Sequence, residues 1–408
     1  MARGTLTPIE EALPLLTGAM PTITDTETVT LLTALNRVLS QNLTAPLAVP
    51  SFDNSAMDGY AVNSQDLLSG LREFPVSQRI AAGHMGTALT PGSLARIFTG
   101  APIPAGADAV IMQENCRLEG ERVIVEQGVH AGENVRRAGA DVQKGVLLFS
   151  AGHRLRAPDI GMLASVGIDT LQVQRPLRVA LLTTGDELIR PGKPLQAGQI
   201  YNSNFYTVSS LLHGLGHTVI DCGIVQDSLE ATEKALREAA TQADCIISSG
   251  GVSVGEEDHV RKALERSGEL TFWKLAIKPG KPFAFGRVNG TPFFGLPGNP
   301  VSAFVNFVLI VRPCLERLQG VIEPPEIPWR LAADFEFGPT GVRQEYLRVC
   351  CKRREDGSLV IAPTGNQSSG VLSAVSTCDG LAIIPPNTSV LPGDLLRFLP
   401  LNEIVGHV

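Results

Sequence analysis

The chain has 408 residues, 44% of them hydrophobic and 18% charged, with 41 glycines and 28 prolines. This composition describes a folded chain of about two to four domains with sizeable cores and many turns, and it excludes disorder over the whole length. A net charge of −7, from 34 basic and 41 acidic residues, offers nucleic acid no global field, and 5% aromatics are too sparse for a base-stacking platform.

Thr7-Pro8-Ile9-Glu10 predicts a helix start, with threonine as N-cap, proline at the first helical position and glutamate completing a capping box. Ile9, Ala12, Leu13 and Leu16 then share one face. A second helical pattern runs through Leu31, Leu32, Leu35, Val38 and Leu39 and is ended by Pro46 and Pro50. Short apolar runs at 76–80, 94–98, 109–112 and 122–125 lie between glycine and proline clusters, which predicts a mostly-β segment. A new helix begins at Arg156-Ala157-Pro158-Asp159 and ends at Gly167. The pieces flanking the β segment read as one domain into which it is inserted.

From residue 177 the pattern becomes regular. Strands at 177–182, 217–225 and 245–248 alternate with helices at 203–212, 227–239 and 256–267, the signature of a parallel, doubly wound α/β sheet. Asp227 and Glu230 occupy capping-box positions of the second helix. Asn289-Gly290 between two phenylalanine-rich runs predicts a hairpin, and Asn299-Pro300 starts an apolar helix reaching about Leu318. Pro324, Pro325 and Pro328 form a stiff linker. Short strands with turns at Asp356-Gly357 and Pro392-Gly393 follow, as in a small β-barrel-like domain. The fold class is therefore multidomain α/β plus β. A discontinuous helical and linking domain takes 1–45 with 140–176, an inserted mostly-β domain 46–139, the α/β domain 177–322 and an all-β domain 328–408.

In an open α/β sheet, ligands bind beyond the carboxyl ends of the strands. Thr183-Thr184-Gly185-Asp186-Glu187 follows the first strand, Asp227 the second, and Glu256-Glu257-Asp258 the third, after a glycine-rich loop at 249–255. Carboxylates converging on one rim suit Mg²⁺, which takes oxygen ligands and bridges phosphates; taken singly, Asp227 also reads as an N-cap and Asp258 as a helix-start charge. The glycine-rich loop is neither a Walker motif nor GxGxxG, but it can present N–H groups to an anion. Lys274, Lys278 and Lys281 place a local cationic site on an acidic chain; a lysine-protected edge strand is the alternative. Residues 296–302 add a helix N-terminus, while Arg136-Arg137 reads as a solvated pair.

Other chemistries find no support. His213 and His217 are separated by Gly214 and Gly216, and no HExxH, GxSxG or cysteine-nucleophile motif occurs. Seven cysteines without a CxxC pair argue against a disulfide framework and a four-cysteine zinc site, and fit a reducing compartment. The N-terminal residues lack the order of a signal peptide, and the longest apolar run, 301–311, contains Asn306 and is far short of a bilayer span. A cytoplasmic protein with no membrane or nucleic-acid partner is expected.

Several segments depart from a generic pattern. Residues 52–61 (Phe-Asp-Asn-Ser-Ala-Met-Asp-Gly-Tyr-Ala) are oddly polar for a core strand, and they join Phe98-Thr99-Gly100-Ala101-Pro102, Thr184-Gly185-Asp186-Glu187-Leu188, 248–255, 274–285 and 296–302. In this order and combination they resemble the molybdopterin molybdenumtransferase family, which comprises MoeA-type proteins and the gephyrin E domain, along essentially the whole chain. The resemblance implies an L-shaped, four-domain homodimer whose α/β domain binds molybdopterin. It implies molybdenum insertion into adenylylated molybdopterin from molybdate, with Mg²⁺-dependent cleavage and release of AMP. Asp58, Thr99, Glu187, Asp227, Asp258, Lys274 and Lys278 would be catalytic, with Asp58 and Thr99 completing the cleft from the partner subunit. Asp186, Glu187, Asp227 and Asp258 would hold the metal. Lys281, Ser302, Pro297, Pro300, Arg348, Ser369 and Asp141 would bind substrate or molybdate. The resemblance also suggests as partners molybdopterin adenylyltransferase and an apo-molybdoenzyme or dinucleotide-forming enzyme. Three positions depart from the family pattern: Ala140 stands where an acidic residue is frequent, Ser228 replaces a second aspartate, and His259 replaces a tyrosine. The alternatives are a molybdopterin adenylyltransferase and a non-catalytic gephyrin-like scaffold.

Overall fold

A computed structural model describes residues 6–251, 259–322 and 329–404. Its centre is a seven-stranded sheet in the spatial order Leu6–Thr7, Gly268–Leu275, Pro282–Val288, Thr291–Leu296, Cys245–Ser249, Arg178–Thr184, Thr218–Val225. The last four strands are mutually parallel, as the alternation predicts. The sheet as a whole is mixed, because the hairpin through Asn289 and Gly290, both at positive φ, runs antiparallel.

Alternation along these strands splits the core in two. Val179, Leu181, Ile247 and Phe294 face one layer with the helix Ser203–Gly214. Ala180, Leu182, Ile246 and Phe293 face the other, with Leu236 and Leu264 from the helices Leu229–Gln242 and His259–Ser267. Each fully buried Val, Leu, Ile or Phe among these contributes about 1.5–3 kcal/mol, so the strand ends that carry the site sit on a rigid platform.

The N-terminal helix spans Ile9–Gly18 and buries Ile9, Ala12 and Leu16 against this core. Its cap is Pro8 rather than Thr7, which is drawn into the sheet opposite Leu275. The expected capping box is therefore absent.

The second helical pattern also fails. Only Leu31–Thr33 is helical, as a single 3₁₀ turn, and Leu32 is 96% exposed. The strand Thr26–Thr30 pairs with Thr170–Gln174 instead, and the N–H groups of Asn36 and Leu39 donate to Leu155 and His153 carbonyls. Tertiary pairing has overridden a local helical spacing. The helix at Ala157–Ser165 forms as predicted, with Asp159 Oδ2 accepting from the Arg156 N–H at 2.9 Å at its start.

The inserted segment forms a six-stranded sheet in the order Ala109–Met112, Gly59–Val62, Leu94–Ile97, Glu73–Ile80, Arg122–Val125, Cys116–Glu119. At the C-terminus, Arg330–Ala333, Gln344–Arg353, Leu359–Pro363, Gly380–Ile384 and Leu395–Pro400 close into a five-stranded barrel. A short strand from the central unit, Ile277–Lys278, adds in parallel to Gln344 and Glu345 and so bolts the barrel to the loop between two central strands.

The apolar helix runs as Pro300–Asn306, a π-helical turn Phe307–Val311, and Arg312–Leu318. Pro313 has no N–H and crowds the preceding turn, and the wider turn just before it accommodates the ring. The linker prolines Pro324, Pro325 and Pro328 lie outside the described residues, and no helix among those described is long and apolar enough to cross a membrane.

Candidate active site

Beyond the carboxyl ends of Arg178–Thr184, Cys245–Ser249 and Thr291–Leu296 lies a cavity of about 770 Å³. This is where an open α/β sheet accepts a ligand. Its wall contains Thr183, Thr184, Glu187, Asn204, Asp227, Ser249, Pro297, Pro300 and Ser302, together with Gly370 and Leu372 from the C-terminal domain. The turn Gly250-Gly251, both at positive φ, backs directly onto Thr184; a Cβ on Gly250 would stand 2.5 Å from the Thr184 carbonyl oxygen.

Buried amides tie the rim together. Asn202 caps the helix Ser203–Gly214 by accepting from the Phe205 N–H at 3.2 Å, while its Nδ2 donates to Thr183 Oγ1 at 2.8 Å. Asn204 Nδ2 donates to Ser249 Oγ and to the Gly298 carbonyl, both at 2.8 Å. Ser249 Oγ in turn donates to the Pro297 carbonyl at 3.3 Å. Three loops are thus held in register. The Thr184 hydroxyl is buried without a hydrogen-bond partner. Sequence reasoning missed Asn202 and Asn204; the only signal was two asparagines flanking a helix start.

The carboxylates meet in part. Glu187 and Asp227 share the cavity wall, and Asp186 Oδ1 accepts from the Asp227 N–H at 3.2 Å, joining the first two loops. Asp227 is not an N-cap: the helix is Leu229–Gln242, and the Ser228 hydroxyl caps it by accepting from the Ala231 N–H at 3.2 Å. Its carboxylate is accordingly exposed and outside the helix. Asp258, with Glu256, Glu257 and most of the glycine-rich loop, lies outside the described residues. Among those described, no three His, Cys, Asp or Glu groups gather closely enough to form a metal cage.

None of the three lysines lines the cavity. Gly268–Leu275, which carries Lys274, is flanked on both sides by strands, so it is no edge strand. Lys278 sits on the strand joined to the barrel and forms a 3.1 Å ion pair with Glu345, whose side chain is 8% exposed. Lys281 is exposed, and Pro282 next to it is part of the cavity wall. The Ser369 carbonyl accepts from the Val301 N–H at 3.1 Å, at the start of the helix that carries Ser302.

Arg348 is 1% exposed on the barrel strand, donating from Nη1 to the Tyr346 carbonyl at 3.0 Å, with Nε and Nη2 unpartnered. Burial holds its pKa below the ordinary arginine value. Arg348 is absent from the cavity wall, as are Asp58, Thr99 and Asp141. Asp58 and Thr99 nevertheless act as one unit. The Thr99 N–H and Oγ1 donate to Asp58 Oδ1 at 2.8 and 2.9 Å, which lowers the carboxyl's pKa. Asp141 is exposed on the linking segment, and Arg137 pairs with Asp53 at 2.6 Å rather than standing as a solvated cation.

A doubly wound α/β unit with a polar cleft at its strand ends, preceded by a region that holds a mostly-β segment and followed by a closed C-terminal barrel, defines the class of protein. Family models match in the same order: the MoeA N-terminal region (domain I and II) over residues 7–167, a probable molybdopterin binding domain over 180–317, and the MoeA C-terminal region (domain IV) over 330–401. The chain is 39% identical to a molybdopterin molybdenumtransferase of Haemophilus influenzae, covering 98% of this chain and 99% of the relative. It is 37% identical to that of a Nostoc species over 88% and 85% of the two chains. The crystal structure of the molybdopterin biosynthesis moeA protein from Pyrococcus horikoshii OT3 superposes with a TM-score of 0.81 at 29% identity, covering 96% of this chain and 99% of that one. The chain belongs to the molybdopterin molybdenumtransferase family.

Proposed function

We propose that the chain is the transferase that inserts molybdenum into adenylylated molybdopterin, drawing the metal from molybdate and releasing AMP. The observation that carries this is one polar cavity walled by Glu187, Asp227 and Pro282, the residue that directly follows the lysine-bearing segment 278–281. A phosphoanhydride-linked dithiolene and a tetrahedral oxyanion are both anions, and they need such cations together with fixed hydrogen-bond donors.

In this reading Lys278 and Lys281 attract and orient the anions, with Lys274 behind them on the strand. Ser302 and the turn through Pro297 and Pro300 shape the pocket wall. Arg348 and Ser369 serve the oxyanion from the barrel side. Water adds to the anhydride phosphorus and AMP leaves; the two dithiolene thiols pass their protons to one molybdate oxygen, which departs as water while both sulfurs bind molybdenum.

The donor set suits Mg²⁺, because that ion keeps several waters and takes one or two carboxylates plus substrate phosphates rather than a protein cage. Asp186, Glu187 and Asp227, with Asp258, would hold it, and it would neutralise charge on the anhydride as the bond breaks. Asp58, Thr99 and Asp141 lie outside the cavity wall of their own chain, which supports a homodimer whose second copy brings Asp58 and Thr99 to the cleft.

The test incubates the purified protein with adenylylated molybdopterin, Mg²⁺ and molybdate and follows reactivation of an apo-molybdoenzyme. Reactivation that needs both the protein and molybdate is the expected result. Consumption of ATP with release of pyrophosphate would assign the adenylyltransferase step instead, and binding without turnover would assign a scaffold.

A further inference from the structure

The lysine loop has to be rigid to aim its charges, yet five of the seven residues at 276–282 are apolar, glycine or proline and offer no side-chain hydrogen bonds. Its hold comes from below. Asn306, fully buried at 0% exposure, ends the helix Pro300–Asn306 immediately before the π-helical turn. Its Nδ2 donates to the Gly280 carbonyl at 3.1 Å and to the Pro282 carbonyl at 3.0 Å. Both donor hydrogens are therefore used on the two residues flanking Lys281.

The fit is close on the other side of the amide too. A Cβ on Gly280, whose φ is +117°, would lie 2.8 Å from Asn306 Oδ1, and that oxygen is buried with no hydrogen-bond partner. Leaving a buried acceptor unpaired is costly, and an aliphatic residue would suit the surrounding run of Val301, Val305, Val308 and Ile310 better. An asparagine here is explained by what its Nδ2 holds.

We infer that Asn306 is a positioning residue of the transferase, clamping Gly280 and Pro282 so that Lys281 is presented to the anionic substrate. The loop has further anchors. The Ala276 N–H donates to the Thr7 carbonyl and its carbonyl accepts from Gln344, Ile277–Lys278 pairs with Gln344–Glu345, the Leu275 N–H donates to the Lys281 carbonyl at 3.0 Å, and the Lys278 ammonium pairs with the Glu345 carboxylate. None of these fixes Gly280. Among the described side chains the Asn306 amide is the one that holds the loop on both sides of Lys281, and its action reaches substrate through that lysine.

This inference rests on the proposed role of the lysine loop, and its test separates the two. KM and kcat for adenylylated molybdopterin, with molybdate and Mg²⁺ saturating, are measured for wild type, Asn306→Leu, Lys281→Ala and the double variant. Asn306→Leu keeps the number and branching of the side-chain heavy atoms and removes the donor. Its expected effect is a KM raised about tenfold with kcat within about threefold, because binding geometry is lost and not the chemistry. In the Lys281→Ala background the same substitution should change KM less than about threefold, since residues acting through one another are not additive.

If Lys281→Ala leaves KM unchanged, the role of the loop is wrong and this inference falls with it. If Lys281→Ala raises KM while Asn306→Leu does not, or lowers kcat alone, Asn306 merely packs the core. Full multiplication of the two effects in the double variant would also overturn it. Should Asn306→Leu fail to fold, Asn306→Ser, which keeps one donor, is judged by the same criteria.

Discussion

Asp227 and Ser228 are adjacent, and the structure gives them opposite jobs. Ser228 caps the helix Leu229–Gln242 through the Ala231 N–H, whereas the Asp227 carboxylate stands outside that helix in the cavity wall. Ser228→Ala removes one cap, worth about 1 kcal/mol, which corresponds to roughly fivefold faster amide exchange in the first helical turn. It should leave kcat/KM within about threefold, because no charge in the cleft changes. Asp227→Asn should do the reverse. The exchange pattern and melting curve stay at wild type, because the carboxylate caps nothing. Activity falls about 100- to 1000-fold, or about 2.7–4 kcal/mol of transition-state stabilisation, the range for removing one preorganised polar group in an active site. Hydrogen exchange by mass spectrometry and AMP release on the same preparations read both quantities. If Asp227→Asn unravels the helix start, or Ser228→Ala is the inactive variant, the separation of roles is wrong.

Lys278→Ala should lower kcat/KM about 100-fold, measured by AMP release, whereas Glu345→Gln, which leaves the lysine in place, should lower it less than about tenfold. His217 is buried with both ring nitrogens unpartnered, and burial pushes its pKa down to about 3. The folded state therefore refuses a proton that the unfolded state accepts below about 6.5, so stability is full above that pH and declines as pH falls, by up to about 1.4 kcal/mol per unit. Urea midpoints from pH 7 to 4 should fall less steeply in His217→Phe than in wild type. Asp244 is half-buried; burial alone would raise its pKa, but hydrogen bonds from Arg175 and Arg178 outweigh this and hold it at about 2. Asp244→Asn should cost about 2 kcal/mol at neutral pH, with the difference from wild type vanishing as pH falls from about 4 toward 2.

What the sequence makes legible follows from how local each signal is. The strand runs at 177–182 and 245–248 and the Asn289-Gly290 turn are decided by burial and backbone chemistry within a few residues, and they form where expected. The helical spacing from Leu31 to Leu39 does not, because its backbone groups are claimed by residues more than a hundred positions away in the chain. Thr7 is lost as a cap for the same reason. In the site, the acidic loops could be read because carboxylates at strand ends are conspicuous. The roles of Asn204, Asn306 and Glu345 could not, since each is defined by a partner 45, 26 or 67 residues distant. Asn306 did leave one trace, as a polar residue in the longest apolar run.

The central claim is that anhydride cleavage in this cleft is coupled to molybdenum insertion. The most direct test is a single-turnover reaction of the protein, in excess over adenylylated molybdopterin with Mg²⁺, in which AMP is quantified with and without molybdate. The account predicts AMP release that depends on molybdate and is lost in Asp227→Asn. Release that proceeds equally without molybdate, or that survives in Asp227→Asn, would contradict it.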